Sequence, residues 1–565
     1  MKNVKKYDFF NVFILNTLLK PYKCIITFLC NMGIPSYFSN LIKQYPNIIK
    51  KLIKNDIKVH NFFLDSNSIV YDCVRGINFE ENPSDPIYQK IIKSVISKIE
   101  EYISIVCPSN LIMISLDGTP PVAKLDQQRQ RRYKSWYTSK MLATNIEPEV
   151  NTKPSFDTIE ITTGTKFMGE LNSKLITHFS NPSRYGVNKI IVSTSDDAGE
   201  GESKIYEYIR TGKEVAPDSV CLVYGLDADL IMLSINNLPI CPNIYLFRET
   251  PEFIKSVDSS LEPNENYIMD IPQLTKTIMS YMNNGAQNHA KLDRVYDYIF
   301  ICFFLGNDFL PHFPAINIRT GGIDKMLNAY KATIGGSKEV LTDGKVIYWK
   351  NVRKLVAFLA EREEEYIIAE TNMRNKYQHT NYPTETPEQR FTKFNALPTY
   401  ERQLEQYINP HKSHWQHRYY SALCNLDKDE LREKQISTNY LEGLEWTLKY
   451  YTTGCPDWRW CYNYNYPPLL TDLIKYIPYF ETTYIKNVDA NTKPVSQLVQ
   501  LCYVMPKNSL HLLPENVHKR LLEAHPEWYG ENYDIIWAYC KYFWESHAQL
   551  PEIEIHELEK FLQSI

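Results

Sequence analysis

Five apolar runs in this chain are followed at once by acid. Asp65, Asp117, Glu200, Glu202, Asp227, Asp229 and Asp308 fall in NFFLDSNS, LIMISLDGTPP, DDAGEGES, VYGLDADLIML and FFLGNDFLPH. A carboxylate just past a buried strand is costly to place unless its charge is compensated. Seven such groups from five segments predict one shared acidic pocket that holds divalent metal. That is the signature of a metal-dependent phosphodiester nuclease.

The runs also set the architecture. NFFLDSN, LIMISLDG, KIIVSTS, CLVYGLD and NIYLFRE read as strands, separated by amphipathic stretches such as Tyr88–Val106 and Glu202–Arg210. Strand, helix, strand at this spacing predicts an α/β fold with a mostly parallel central sheet and flanking helices. Ligands of such sheets bind at the carboxyl ends of the strands, where Asp65, Asp117 and Asp227 stand. The catalytic α/β domain is expected over residues 32–360. Residues 361–436 are rich in Asn, Gln, His, Thr and Pro and read as an irregular polar connector. Residues 437–565 return to helical patterns around an aromatic block, GLEWTLKYYTTGCPDWRWCYNYNYPP. Residues 1–31 are apolar and basic, but Lys20-Pro21-Tyr22-Lys23 interrupts them and neither side is long enough to span a bilayer. The expectation is that translation starts at Met32, and no later stretch resembles a membrane span.

Charge and cysteines narrow the class. The net charge is −4, so nucleic acid would have to meet a local basic patch. Twelve cysteines are scattered without a Cys-x2-Cys pair, and the nearest approach to one is Cys455 and Cys461. Free thiols in a reducing compartment are the plain reading, and the expected location is the cytoplasm, with the nucleus as the alternative.

In LDADL, Asp227 and Asp229 are two apart, and on a strand both would face the same side. In GEGE, the glycines let the backbone bring Glu200 and Glu202 close to a metal. All-oxygen ligands suit Mg²⁺, with Mn²⁺ an alternative, and two ions roughly 4 Å apart would activate a water and steady the leaving oxygen. Each motif alone has a plainer reading: LDADL as a strand-end turn, Asp308 as a helix cap. The weight lies in five acidic segments in order.

A second constellation, DGTPPVAKLDQQRQRRYKSW, places Lys124, Gln128, Arg131 and Arg132 on one helical face. A run of charge is most often a solvated face. Here it starts seven residues after Asp117, and guanidinium pairs bidentately with phosphate oxygens, so it reads as a terminal-phosphate pocket. In the aromatic block Trp458, Trp460, Tyr462, Tyr464 and Tyr466 alternate. On a strand they would share a face and offer stacking for bases, although an aromatic stripe is more often core.

Together these residues carry a resemblance to the XRN family of 5′→3′ exoribonucleases. MGIPSYFSNLIKQYP resembles its amino-terminal segment. LDSNSIVYD, LDGTPPVAKLDQQRQRR, FDTIEITTGTKFM, GEGESKIYEYIR, VYGLDADLIML and CFFLGNDFLPHFP resemble its successive first-region motifs. The aromatic block resembles the core of its second region. The resemblance implies a flap-endonuclease-like α/β domain closed over by a mainly helical second region. It implies that the seven acids are the metal ligands, and that Lys124, Gln128, Arg131 and Arg132 form the 5′-phosphate pocket. It also implies that Trp458 or Trp460 stacks on the terminal base. Two positions depart: the histidine that partners this stack is Tyr71 here, and GEGEH has become GEGES with Ser203. The chain also stops soon after the second region, so the accessory domains of large members are expected to be absent.

The expected function is Mg²⁺-dependent, processive 5′→3′ degradation of single-stranded RNA carrying a 5′-monophosphate, releasing nucleoside 5′-monophosphates. One rival is a structure-specific flap DNA nuclease, which shares the acidic motifs but needs a helix-hairpin-helix. FPAINIRTGGIDKM, after Asp308, is a poor candidate for one. The other rival is a non-catalytic RNA-binding protein, whose mark would be lost ligands.

Overall fold

The computed structural model describes residues 37–53, 57–77, 86–143, 156–212, 215–250, 254–283, 293–485 and 493–565. The extension before Met32 and the expected start there lie outside the described residues.

The five expected strands all form: β2 (Asn61–Asp65), β3 (Leu111–Ser115), β4 (Lys189–Ser193), β5 (Cys221–Tyr224) and β6 (Ile244–Glu249). Two short strands join them, β1 (Ile49–Lys51) and β7 (Asn266–Met269). The sheet order is β1-β7-β6-β5-β2-β3-β4. Pairs β4–β3, β3–β2, β2–β5 and β5–β6 are parallel, whereas β7 and β1 add antiparallel pairs at one edge. Strands β2, β3 and β5 are buried along their whole length, as parallel strands covered on both faces must be. The fold class read from the sequence is therefore the one found.

The chain leaves β2 for β3 and β4, then returns to the other side of β2 as β5. The order reverses between β2 and β5, and a crevice opens there beyond their carboxyl ends. Asp65 is the last residue of β2, and the Asp227 loop follows β5.

One sheet face is covered by helices Asn67–Gly76, Ile87–Val106 and Lys166–His178, packed on Phe62, Leu64, Ile112 and Leu222. The other face, with Phe63, Met113 and Val223, belongs to a larger apolar cluster. That cluster continues through Phe300 and Trp349 to Trp446 and Tyr451 of the long helix Glu430–Thr452. The second region thus shares a core with the sheet.

Residues 361–436 correct the expectation of an irregular connector. Helices Glu363–Tyr377, Pro387–Asn395, Gln403–Ile408 and Trp415–Leu423 fill most of that stretch. Its polarity misled because several charges are buried and paired. Glu363 accepts hydrogen bonds from the Leu470 and Thr471 amides, and Glu405 sits between Arg374 and Arg402. The alternating segment of the aromatic block, residues 458–466, forms no strand; Trp460 stacks on Trp446, and Tyr462 packs edge-on against Tyr440 and Tyr464. Near the end, Ile535–Ile536 pairs with His547–Ala548 as β8 and β9.

Candidate active site

Residue Asp65 ends β2, only Leu116 separates β3 from Asp117, and Glu200 stands just before the helix Gly201–Thr211. The Gly201 amide donates to Asp117 Oδ1 at 2.7 Å, so the helix amino terminus meets a carboxylate. A glycine is required at 201: a Cβ there would lie 2.5 Å from Asp65 Oδ1. The other Asp117 oxygen accepts from Asn67 Nδ2 at 2.6 Å. Asp227 and Asp229 do not share a strand face as the spacing suggested. Asp227 lies in a loop after β5, and Asp229 opens the helix Asp229–Asn237. They reach the same crevice from two different elements. Asp308 follows the short turn Phe303–Leu305 and caps no helix.

Oxygen atoms of Asp65, Glu202 and Asp227 lie within 4.8 Å of one another. Asp65, Glu200, Glu202, Asp229 and Asp308 are buried. Lys124 is the cation at their centre, 2% exposed, pairing with Glu200 at 2.6 Å and also with Asp308. Burial works against its charge, but Asp308, Glu200, Glu202 and Asp229 outweigh that and hold its pKa well above the lysine range. It does not balance the cluster. Burial, then Asp117, Asp227 and Glu200, push Asp65 far above the carboxylate range. Burial with neighbouring carboxylates does the same to Glu202 and Asp229. Glu200 is raised too, because burial outweighs its bond to Lys124. Asp65 Oδ1 and Asp229 Oδ1 are buried without a hydrogen-bond partner among the described residues. An all-carboxylate donor set with excess charge and orphaned oxygens fits hard divalent cations.

The helix Val122–Ala143 divides the predicted basic face. Lys124 pairs with the carboxylates Glu200 and Asp308. Farther along, Arg132 Nη2 donates to Thr162 Oγ1 at 2.9 Å, while its Nη1 is buried without a partner among the described residues. Burial lowers Arg132 to about 10, and Tyr71 and Asp157 counter this. Thr163 Oγ1, next in sequence to the Arg132 partner, donates to the Asp117 carbonyl at 2.9 Å. Two adjacent threonines therefore join this guanidinium to the acidic cluster. Gln128 and Arg131 are half-buried, as is Tyr71 on the helix after β2.

The second region reaches the cluster directly. The Tyr450 hydroxyl donates to Glu200 Oε2 at 2.7 Å. Phe309, beside Asp308, packs edge-on against Trp446 and Tyr450. Trp446 is stacked between Tyr450 and Trp460. Trp460 is thus taken up in a stack, whereas half-exposed Trp458 is held through its carbonyl, which accepts from Val122 N at the start of the basic helix.

Comparison with known proteins agrees with this layout. The family model described as "XRN 5'-3' exonuclease N-terminus" matches residues 32–250, and "Xrn1 helical domain" matches 289–409 and 368–565. The chain belongs to the XRN 5′→3′ exonuclease family. It is 25% identical to a 5′-3′ exoribonuclease 2 homolog of Drosophila melanogaster, over 94% of this chain and 71% of that protein. The figures for 5′-3′ exoribonuclease 2 of Gallus gallus are 25%, 94% and 70%. For 5′-3′ exoribonuclease 1 of Saccharomyces cerevisiae they are 24%, 86% and 40%. Within this XRN chain, sequence reasoning overlooked three residues that hold the acids: Asn67 on Asp117, Gln127 on Asp308 at 2.6 Å, and Tyr450 on Glu200. Each sits inside a motif already singled out, so the signal was proximity to an acid rather than residue type. Among the described residues, no helix is long and apolar enough to cross a membrane.

Proposed function

We propose that this chain is a divalent-metal-dependent 5′→3′ exoribonuclease that takes single-stranded RNA bearing a 5′-monophosphate and releases nucleoside 5′-monophosphates. The exoribonuclease class rests on the XRN family and the names of its relatives. The finer reading rests on one observation: Thr162 and Thr163 join a buried, half-satisfied guanidinium to the acidic cluster.

In this reading Asp65, Asp117, Glu200, Glu202, Asp227, Asp229 and Asp308 hold two ions, Mg²⁺ or Mn²⁺. When bound, the ions supply an activated water and neutralise charge on the scissile phosphodiester. Asn67 and the Gly201 amide fix Asp117, Gln127 fixes Asp308, and Tyr450 fixes Glu200, so these ligands are oriented beforehand. Lys124 offsets part of the carboxylate charge. Arg132, with Arg131 and Gln128, takes the terminal phosphate; the charged Nη1 of Arg132, without a partner among the described residues, gains most from an anion. The next phosphodiester then lies at the metal ligands, and each cut leaves a new 5′-phosphate for the same pocket, as processive action requires. Trp458 offers a face to the terminal base with Tyr71 opposite, because Trp460 is already stacked on Trp446.

The test uses the full chain with paired 5′-phosphorylated and 5′-hydroxyl strands of RNA and DNA, with Mg²⁺ or EDTA. The reading expects rapid loss of 5′-phosphorylated RNA only, as mononucleotides and only with Mg²⁺. Equal degradation of 5′-hydroxyl RNA would remove the phosphate pocket, and degradation in EDTA would remove the metal centre.

A further inference from the structure

The amino end of β5, opposite the metal centre, holds a pair of cysteines. Cys221 opens the strand, and Cys241 lies in residues 238–243, the short turn from the helix Asp229–Asn237 into β6. The register fixes their approach: Cys221 pairs with Ile244, three residues past Cys241, and its amide donates to the Asn243 carbonyl at 3.0 Å. The two sulfurs stand 3.5 Å apart, with the Cys241 thiol donating to Cys221 Sγ. Among the described residues, no other two cysteine sulfurs are in contact.

Two packed thiols need no polar company, because a buried cysteine behaves as a small apolar group. Here the fully buried Asn61 amide, on the neighbouring strand β2, donates to Cys221 Sγ at 3.5 Å. The Asn61 oxygen accepts from Asn110 Nδ2 at 2.8 Å, which fixes the amide with its NH2 toward the sulfur. Cys221 therefore receives two donors, an arrangement that favours a thiolate. The bond from Cys241 leads in holding the Cys221 thiol below its ordinary range, against burial, and Asn61 adds to it. Cys241 is 1% exposed but stands between exposed Ile240 and Pro242, so only a local opening of the turn separates it from solvent. A disulfide needs the sulfurs about 1.5 Å closer than they stand, a distance that side-chain rotation can span.

We infer that Cys221 and Cys241 are a site of reversible oxidation by small disulfides such as oxidised glutathione, and that the bond clasps the segment carrying Asp227 and Asp229. The Cys241 thiolate, freed as the turn opens, attacks the oxidant and expels one thiolate. Cys221 then attacks Cys241 Sγ of the mixed disulfide and expels the second. The two cysteine thiols thus lose two protons and two electrons, and the oxidant leaves as two thiols. The ring so closed spans residues 221–241, with both acids inside it and the sulfurs at the far end of β5 from them. In the test, the full chain is incubated with millimolar oxidised glutathione, its remaining thiols are alkylated, and its peptides are mapped without reduction. The expected result is a Cys221–Cys241 cross-link in most chains and a Tm about 2–5 °C above the reduced protein, both reversed by dithiothreitol. Cys241→Ala should abolish the cross-link and the rise in Tm, whereas Cys107→Ser, which removes an exposed thiol, should leave both. The wild-type peptide map decides the case even if Cys241→Ala folds poorly. Free thiols retained at Cys221 and Cys241, glutathione left on Cys241 without the cross-link, or a cross-link to another cysteine would each overturn the pair. A cross-link with no rise in Tm would overturn the clasp.

Discussion

Two clusters of charge are buried in this molecule, and they are built on opposite principles. Among the helices of residues 363–408, Glu405 accepts from Arg374 at 2.6 and 2.9 Å, from Arg402 at 2.7 Å and from the Tyr539 amide at 2.8 Å. With Glu370 acting on Arg374 as well, two carboxylates meet two guanidiniums within the chain. At the strand ends of the sheet, Lys124 pairs with only Glu200 and Asp308 of the gathered carboxylates, and among the described residues Asp65 Oδ1 and Asp229 Oδ1 have no hydrogen-bond partner. A balanced buried cluster is part of the scaffold. An unbalanced one raises the folding free energy of the metal-free protein and waits for a cation. Substitutions in the two should therefore have opposite signatures.

The largest effect is expected on catalysis. Asp227→Ala or Glu200→Ala removes a proposed metal ligand and should lower kcat/KM on 5′-phosphorylated RNA by roughly a thousandfold or more, about 4 kcal/mol. The fold should survive, with thermal stability equal to or above wild type, because one repelling carboxylate is gone. Near-normal turnover by either purified variant would refute the assignment.

At the balanced cluster the order reverses. Glu405→Ala leaves two buried arginines facing each other and should cost about 3–5 kcal/mol in urea denaturation. Any lost activity should follow the folded fraction. A loss under 1 kcal/mol would mean that water replaces the carboxylate, and that the two clusters differ less than their geometry says.

The contrast also has a pH signature. Asp227 is pushed up to about 6, chiefly by burial and further by Asp308 and Asp117 against Lys124. A carboxylate with a folded pKa above its unfolded value binds its proton more tightly when folded. Stability from this source is full below the ordinary value of 3.8 and lost as pH rises through about 6. Divalent metal should restore it. The gain from Mg²⁺ at a hundredfold excess over its Kd is about 2.7 kcal/mol. At a fixed Mg²⁺ concentration the rise in Tm should be larger at roughly pH 7.5 than at about pH 5, where protons compete with metal. A rise independent of pH would argue that these groups are not the ligands.

The phosphate end should respond more mildly. Arg132→Ala removes a charge-assisted contact worth about 1.5–3 kcal/mol, roughly a tenfold to hundredfold loss on 5′-phosphorylated RNA. Activity on 5′-hydroxyl RNA should fall much less. Equal losses on both would assign Arg132 to holding Thr162 and the fold.

Much of this was legible in the sequence, for a physical reason. Strands buried on both faces must be apolar throughout, so an acid that ends such a run, as Asp65 does, stands out. Strand β1, IKK at an exposed edge, has no such contrast, and β7 is brief and follows a polar stretch. The helices between 363 and 423 were hidden because pairing let their charges be buried, and composition does not show pairing. Lys124 was read by helical spacing with Arg131 and Arg132, yet it points to Glu200 and Asp308. Spacing fixes a face of a helix, not which layer covers each turn of it. The partition of Trp458 from Trp460 lay beyond the sequence because it depends on Trp446, in a different element.

The smallest expected effect tests the link between the regions. Tyr450, in a helix that shares the apolar core with the sheet, donates to Glu200 Oε2 while Lys124 holds Oε1. Tyr450→Phe keeps the ring in its stack on Trp446 and removes only the hydroxyl. The lost bond is worth about 0.5–1.5 kcal/mol, a two- to tenfold change. If the second region orients the carboxylate, this variant should bind Mg²⁺ more weakly by that factor, with kcat falling at limiting metal and recovering at saturating metal. KM for RNA should stay put, because the hydroxyl faces the acids rather than the strand. Unchanged metal affinity with a raised KM would place Tyr450 on the RNA path. It would also mean that the unbalanced cluster is organised by the α/β layer alone.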